Sequence, residues 1–316
     1  MAVTHVFKVV DGLSLEIDVH EPTPKQENNP VLLHFHGGFL VIGEKTTFPP
    51  HWLINACRKR RWTYATASYR LLPESSGHEI LQDAVDAVNW VHDNISKRVI
   101  IAGSSAGGYL ALASAASPNT PRPLAVLCIY GLLDPADERY TCRGRPLPGV
   151  VRDEEQALAE VEAASRDQAI DGYAFPSDPA VDRRFGWIRA LHQAARFPDV
   201  LVGKPGLAAR IAAEGVGAIA AEDRGLFPAS FGLGAGFPPM VLLHGDADLL
   251  VGYELSAKVA GTLETLGVDV ALERAEGQGH GFEAKEVIDL DDGSLRDNAF
   301  ADTLKRVVAH LERHVQ

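Results

Sequence analysis

The sequence predicts an α/β protein with a mostly parallel central sheet flanked by helices. Three observations carry this expectation. Short apolar runs, Val31–Phe35, Val99–Ala102 and Leu124–Tyr130, read as strands buried on both faces. Segments with helical spacing alternate with them, as in Ile80, Leu81, Ala84, Val85, Val88 and Val91. The run Gly103-Ser104-Ser105-Ala106-Gly107-Gly108 then sits between a strand and the helical stretch that starts at Tyr109. Strands separated by helices imply parallel pairing, with helices on both faces of the sheet.

In chain order, His5–Val10 and Leu13–Val19 flank Asp11-Gly12, a hairpin signature. Val31–Phe35 leads into a glycine-rich loop and a helix around Trp52–Lys59, and Trp62–Ser68 is the next strand. An amphipathic helix over 78–94, strand 98–102, the serine turn, a helix to about Ala116 and strand 124–130 follow. Near the end come strand Met240–Leu243, helix Tyr253–Leu266 stopped by Gly267, strand Val268–Leu272 and a closing helix. That last helix is marked by Phe300, Leu304, Val307, Val308 and Leu311.

Residues 132–236 break this rhythm. They are rich in Ala, Arg, Asp and Glu, with helical candidates at 153–165, 183–196 and 205–214 punctuated by Pro and Gly. The expected division is a core of 1–131 and 237–316, with 132–236 as a helical cap insertion. Open α/β folds bind ligands beyond the carboxyl ends of their strands, and a cap would cover that edge. A separate helical domain without catalytic contact is the alternative. Both ends of the segment return to core strands, which favours the cap.

Composition narrows the function classes. The net charge of −12 argues against nucleic acid or an anionic membrane surface as the main partner. No run approaches the ~18–20 apolar residues that span a bilayer. The beginning, Met1-Ala2-Val3-Thr4-His5, has no basic region followed by an apolar stretch, so no secretion signal is expected. Three cysteines, Cys57, Cys128 and Cys142, lack metal-ligand spacing and fit a reducing, cytoplasmic setting. Without a signal, the Asn94-Ile95-Ser96 sequon is expected to stay unused. Neither glycine cluster forms the G-x-G-x-x-G of a dinucleotide-binding loop, and no metal or organic cofactor is expected.

The chemistry rests on Ser105 in the G-x-S-x-G frame. Composition alone yields that frame in roughly one chain in ten of this length, so its companions decide. A serine hydroxyl needs an imidazole within hydrogen-bond reach and a carboxylate to hold that imidazole in one tautomer. His280, in Gln278-Gly279-His280-Gly281-Phe282 after the last strand, supplies the first. Asp248 in His244-Gly245-Asp246-Ala247-Asp248 supplies the second; Asp246 competes, but Asp248 stands further into the loop. The order Ser105, Asp248, His280 is that of a nucleophile-elbow hydrolase. Backbone N–H groups of Gly37, Gly38 and Ala106 are the candidate oxyanion donors. A Ser105 that only caps the following helix, a roleless loop His280 and a plain Gly37-Gly38 turn are the competing readings. Phe175, Trp187, Phe197 and Phe231 are apolar pocket candidates from the insertion, although such aromatics more often form local core.

These motifs resemble the hormone-sensitive-lipase-like branch of the α/β-hydrolase superfamily, the alpha/beta hydrolase fold-3 esterases. His36-Gly37-Gly38 resembles its H-G-G-G motif, Ser68–Glu74 its D-Y-R-L-A-P-E stretch and Gly103–Gly108 its G-D-S-A-G-G. Asp83–Trp90 matches the helix preceding the nucleophile strand. His244–Asp248 and His280-Gly281-Phe282 fit the acid and base segments, and the likeness covers about 30–131 and 237–285. Phe39 stands where that family has a third glycine, Ser68 where it has aspartate, Leu72 where it has alanine, and Ser104 is the departure before the nucleophile. Phe39 is expected to reshape the acyl pocket. The resemblance implies carboxylic ester hydrolysis of a small-molecule substrate through an acyl-enzyme. Acyl transfer, lactone or amide cleavage, or ligand binding without catalysis are the alternatives. Edge-strand or cap-mediated homodimers are compatible with it.

Overall fold

Alternate side chains of each core strand point to opposite faces of one sheet, and this alternation builds two apolar layers. The computed structural model describes residues 2–24, 28–145, 147–149, 153–285, 287–291 and 300–315. Its strands are β1 (Val3–Val10), β2 (Leu13–His20), β3 (Val31–Phe35), β4 (Thr63–Ala67), β5 (Val99–Ser104), β6 (Ala125–Ile129), β7 (Met240–Gly245) and β8 (Val270–Ala275). They lie in the order β1-β2-β4-β3-β5-β6-β7-β8. β2 pairs antiparallel with β1 and β4, and every other pair is parallel. The mostly parallel sheet expected from the sequence is present.

The helices are α1 (His51–Lys59), α2 (Gly77–Asn94), α3 (Ala106–Ala116), α4 (Glu138–Thr141), α5 (Glu154–Ala164), α6 (Arg183–Gln193), α7 (Phe197–Val202), α8 (Leu207–Glu214), α9 (Pro228–Phe231), α10 (Tyr253–Thr265) and α11 (Ala301–His314). Leu33, Ile101, Val126 and Leu242 share one buried cluster with α2, α3 and α10. Their strand neighbours Leu32, Ile100, Leu127 and Val241 share the other with α1 and α11. One residue of register therefore decides which helices a side chain meets. α3 is buried continuously from Ala106 to Ser114, which explains why its sequence has no polar face.

α2 starts with a reciprocal cap: Ser76 Oγ accepts from the Glu79 N–H, and Glu79 Oε2 accepts from the Ser76 N–H at 2.8 Å. One turn on, the fully buried Asp83 carboxylate takes two bonds from the Arg70 guanidinium, at 2.8 and 3.0 Å, and one from Lys8 Nζ at 2.7 Å. Asp83 thus joins α2 to β1 and to the Ser68–Glu74 stretch.

Between β6 and β7 the chain forms α4 to α9. The helical stretches expected at 153–165, 183–196 and 205–214 correspond to α5, α6 and α8. α4 and α9 have 4 residues each and α7 has 6, too few for a helical period to register in sequence. Arg184 of α6 anchors this segment to the core. Its Nη1 donates to the carbonyls of Val41 at 2.8 Å and Leu72 at 3.1 Å, and its Nη2 pairs with Glu74. Both charged side chains are buried.

Candidate active site

β5 ends at Ser104 and α3 begins at Ala106, so Ser105 alone makes the turn, with φ 57° and ψ −119°. A side chain in that backbone region costs about 1–3 kcal/mol and persists only where its surroundings enforce it. Here the Ser105 N–H donates to the Ile129 carbonyl at 2.8 Å, and its carbonyl accepts from Gly108 and Leu132 at 2.9 and 3.1 Å. The turn is also too tight for side chains around it. A Cβ on Gly103 would lie 2.0 Å from the Gly107 oxygen, and one on Gly107 would lie 2.0 Å from the Phe35 oxygen.

Ser105 makes no capping hydrogen bond. Its Oγ lies 3.0 Å from His280 Nε2, and His280 Nδ1 lies 2.6 Å from Asp248 Oδ2. The residues in question are 175 and 32 positions apart in sequence. What brings the last two loops together is Gly245 at the end of β7, where a Cβ would sit 2.2 Å from the Gln278 oxygen. The Ala247 N–H donates to that same oxygen at 3.0 Å.

The two competing aspartates have different surroundings. Asp246 accepts from Arg274 Nε and the Gly277 N–H, both at 2.7 Å, and so clamps the loop that carries His280. Asp248 faces inward, its Oδ1 accepting from the Leu250 and Val251 N–H groups at 2.8 and 3.0 Å. Burial alone would raise its pKa, because it disfavours the charged carboxylate. Hydrogen bonds from His244, His280 and the Val251 N–H outweigh burial and hold the carboxyl well below the usual carboxylate range. His244 is itself fully buried, with Nδ1 2.7 Å from Ser256 Oγ and Nε2 3.3 Å from Asp248 Oδ2.

The loop after β3 comes close to the serine because it lacks side chains there: a Cβ on Gly37 would be 3.0 Å from Ser105 Cβ. Gly38 has φ +118°, and its Cβ would fall 2.0 Å from the Ile42 oxygen. Tyr69 fixes the loop from below, donating to the His36 carbonyl at 2.7 Å with its ring stacked on the imidazole at 4.2 Å. Burial pushes His36 down to about 4, so the ring is neutral at physiological pH. Among the described residues, no acceptor within the protein takes the N–H of Gly37, Gly38 or Ala106.

These groups open into a cavity of ≈ 310 Å³ whose lining includes Gly37, Gly38, Phe39, Ser105 and His280. Phe48, Phe175 and Phe185 form an edge-to-face series along one wall, with centroids 4.6 and 5.2 Å apart. Of the four aromatics expected from the insertion, Phe175 reaches the cavity. Trp187 and Phe197 are buried in local core, and Phe231 packs against it. Phe185 went unforeseen because its neighbours carry no motif.

Sequence reasoning also missed Tyr130 and Glu283. Tyr130 lines the cavity at φ 38°, its ring centroid 4.5 Å from that of His280. Its hydroxyl donates to Glu283 Oε1 at 2.7 Å. Burial pushes that carboxyl up to about 7. A hydroxyl ending an apolar strand, and a glutamate three residues after His280, were the available signals. Among the described residues, the cluster with metal-ligand spacing is Asp269, His310 and His314, which is separate from this site.

Comparison with known proteins agrees with the architecture. A family model described as alpha/beta hydrolase fold matches residues 32–205. The non-reducing polyketide synthase ausA of Aspergillus calidoustus is 23% identical over 310 residues, covering 86% of this chain and 12% of that protein. An arylesterase of Saccharolobus solfataricus is 30% identical over 113 residues, 33% of this chain and 36% of that one. The chain therefore spans well under two thirds of the length of either curated relative. A propionate-bound esterase from Thermogutta terrifontis superposes with a TM-score of 0.60 at 19% identity, over 99% of this chain and 94% of that one. Among the described residues, no helix is long and apolar enough to cross a membrane.

Proposed function

The chain belongs to the alpha/beta hydrolase fold family, in its hormone-sensitive-lipase-like branch, and from that premise we propose that it hydrolyses carboxylic esters of small molecules through an acyl-enzyme. The observation that carries this reading is the hydrogen-bonded line Asp248–His280–Ser105 opening into an apolar cavity. The arylesterase relative and the propionate-bound esterase neighbour support ester chemistry.

In this mechanism Ser105 Oγ attacks the ester carbonyl while His280 Nε2 takes its proton. The carbonyl oxygen gains negative charge and is received by the N–H groups of Gly37, Gly38 and Ala106, the last at the N-terminus of α3. Asp248 holds the His280 Nδ1–H and stabilises the imidazolium. His280 then protonates the leaving alkoxide, and the alcohol departs with the acyl group on Ser105. A water gives its proton to His280 and attacks the acyl carbon. Return of that proton to Ser105 Oγ frees the acid.

Residues 132–236 serve as the cap in this reading, because Phe175 and Phe185 from that segment wall the cavity. The three unpaired cysteines support a reducing, cytoplasmic setting.

A second reading is acyl transfer to an alcohol acceptor in place of water. Its support is the likeness of 86% of the chain to a segment of a polyketide synthase. One experiment tests the chemistry common to both. An organophosphonate should label wild-type protein at Ser105 and leave Ser105→Ala unlabelled. p-Nitrophenyl esters of two to eight carbons then separate the two readings. Fast release without added alcohol means hydrolysis; labelling with negligible ester turnover until an alcohol is added means transfer. Labelling that survives Ser105→Ala would refute the assignment.

A further inference from the structure

At the opposite end of the sheet from the cavity, His310 and His314 lie four residues apart on α11, so both imidazoles share one helix face. Asp269 faces them from the turn before β8. His314 Nε2 is 3.2 Å from Asp269 Oδ2, and His310 Nε2 is 4.0 Å from Asp269 Oδ1. The three potential donor atoms all lie within 4.8 Å of one another. Both Nε2 atoms are buried without a hydrogen-bond partner, and His310 as a whole is 3% exposed. Buried polar atoms left unpaired are destabilising, and two of them converging on one carboxylate fit a shared partner. Asp269 is held in place from behind, its carbonyl accepting the Met240 N–H at 2.9 Å.

We propose that Asp269, His310 and His314 form a binding site for a divalent cation of the Zn²⁺ class, with water completing the shell. Two imidazoles and a carboxylate are a donor set that Zn²⁺ takes. Ligands about 2.0–2.2 Å from a tetrahedral Zn²⁺ are about 3.3–3.6 Å apart. The Asp269–His314 pair already stands near that spacing, and modest side-chain rotation closes the remainder. Arg313 Nη2 donates to His310 Nδ1, which leaves the proton of that ring on Nε2. Metal entry shifts this proton to Nδ1, and the exposed Arg313 turns into solvent. Arg313 therefore opposes binding, both as a competing donor and as a cation. The six residues of β8, at about 3.3 Å each, separate this site from the loop bearing His280, so the ion would pin α11 to the sheet and take no part in ester chemistry.

The test is calorimetric titration of this chain, free of any tag, with ZnCl₂, beside thermal melts with Zn²⁺ and with EDTA. One Zn²⁺ per chain and a rise in Tm are expected for wild type. His314→Ala and Asp269→Asn, both at partly or well exposed positions, should each weaken binding at least tenfold. Arg313→Ala should tighten it. Melts in EDTA establish that each variant is folded. Absence of saturable binding by wild type would overturn the proposal. So would Zn²⁺ affinity that both weakening variants leave unchanged, which would mark adventitious binding elsewhere.

Discussion

Compared with the apolar layers on either face of the sheet, the rim where its parallel strands end obeys different rules. The layers hold ordinary backbone and side chains such as Leu33, Ile101 and Leu242, fully removed from water. At the rim, Phe39, Phe48, Ser105 and Tyr130 all take positive φ and all line the cavity. Polar groups that a core would exclude, among them Asp248, His244 and Glu283, are buried there. The layers supply the free energy that the rim spends on strain and desolvation. Mutations in the two regions should therefore separate stability from activity.

The largest effect expected is on activity. Asp248→Asn should lower kcat about 10⁴-fold, because the amide no longer enforces the His280 tautomer. Asp246→Asn, which only loosens the contact with Arg274 and Gly277, should change kcat far less. Steady-state hydrolysis of p-nitrophenyl butyrate distinguishes them, and equal losses would show that both carboxylates orient the base.

Next comes the core. Leu33→Ala should cost about 2–5 kcal/mol of stability in urea unfolding, while the folded fraction keeps its kcat. A comparable loss of kcat at unchanged stability would erase the division between layer and rim.

pH sharpens the contrast. Burial holds Glu283 at about 7, against about 4.3 for an unfolded glutamate. A carboxyl raised on folding contributes stability that is fully present below the unfolded value and is lost as pH climbs through the folded one. Glu283→Gln keeps an acceptor for Tyr130 without the titration. Wild-type Tm should therefore fall relative to the variant between pH 5 and 8, and parallel curves would contradict a buried, titrating Glu283. The smallest change is expected from Ser76→Ala, which removes half of the α2 capping box. It should cost about 1 kcal/mol and leave kcat as it was.

The layers were legible in sequence because their alternation and helical periods are local signals. Expected element ends mostly fell within two residues of those found; β8, which extends to Ala275, and α6, which stops at Gln193, each missed by three. Ser105, Asp248 and His280 were legible because the turn, the strand end and the glycine-flanked loop each mark their residue. The reason Asp248 and not Asp246 approaches the imidazole is tertiary: it depends on Gly245 meeting Gln278 across two loops. Tyr130 and Phe185 were hidden for the same reason, since a side chain's direction into a cavity leaves no period. The short helices α4, α7 and α9 lie below the length at which amphipathicity can be read.

Arg184 carries a final consequence. Its guanidinium bridges α6 to two core carbonyls and to Glu74 in a region closed to water. Separating such a pair strands a charge in low dielectric, at about 3–5 kcal/mol. The segment carrying α6 is thus bolted to the core rather than hinged there. Phe185, on the same helix, is thereby fixed as part of the cavity wall, so the standing shape of that wall, more than any motion of α6, limits which molecules fit.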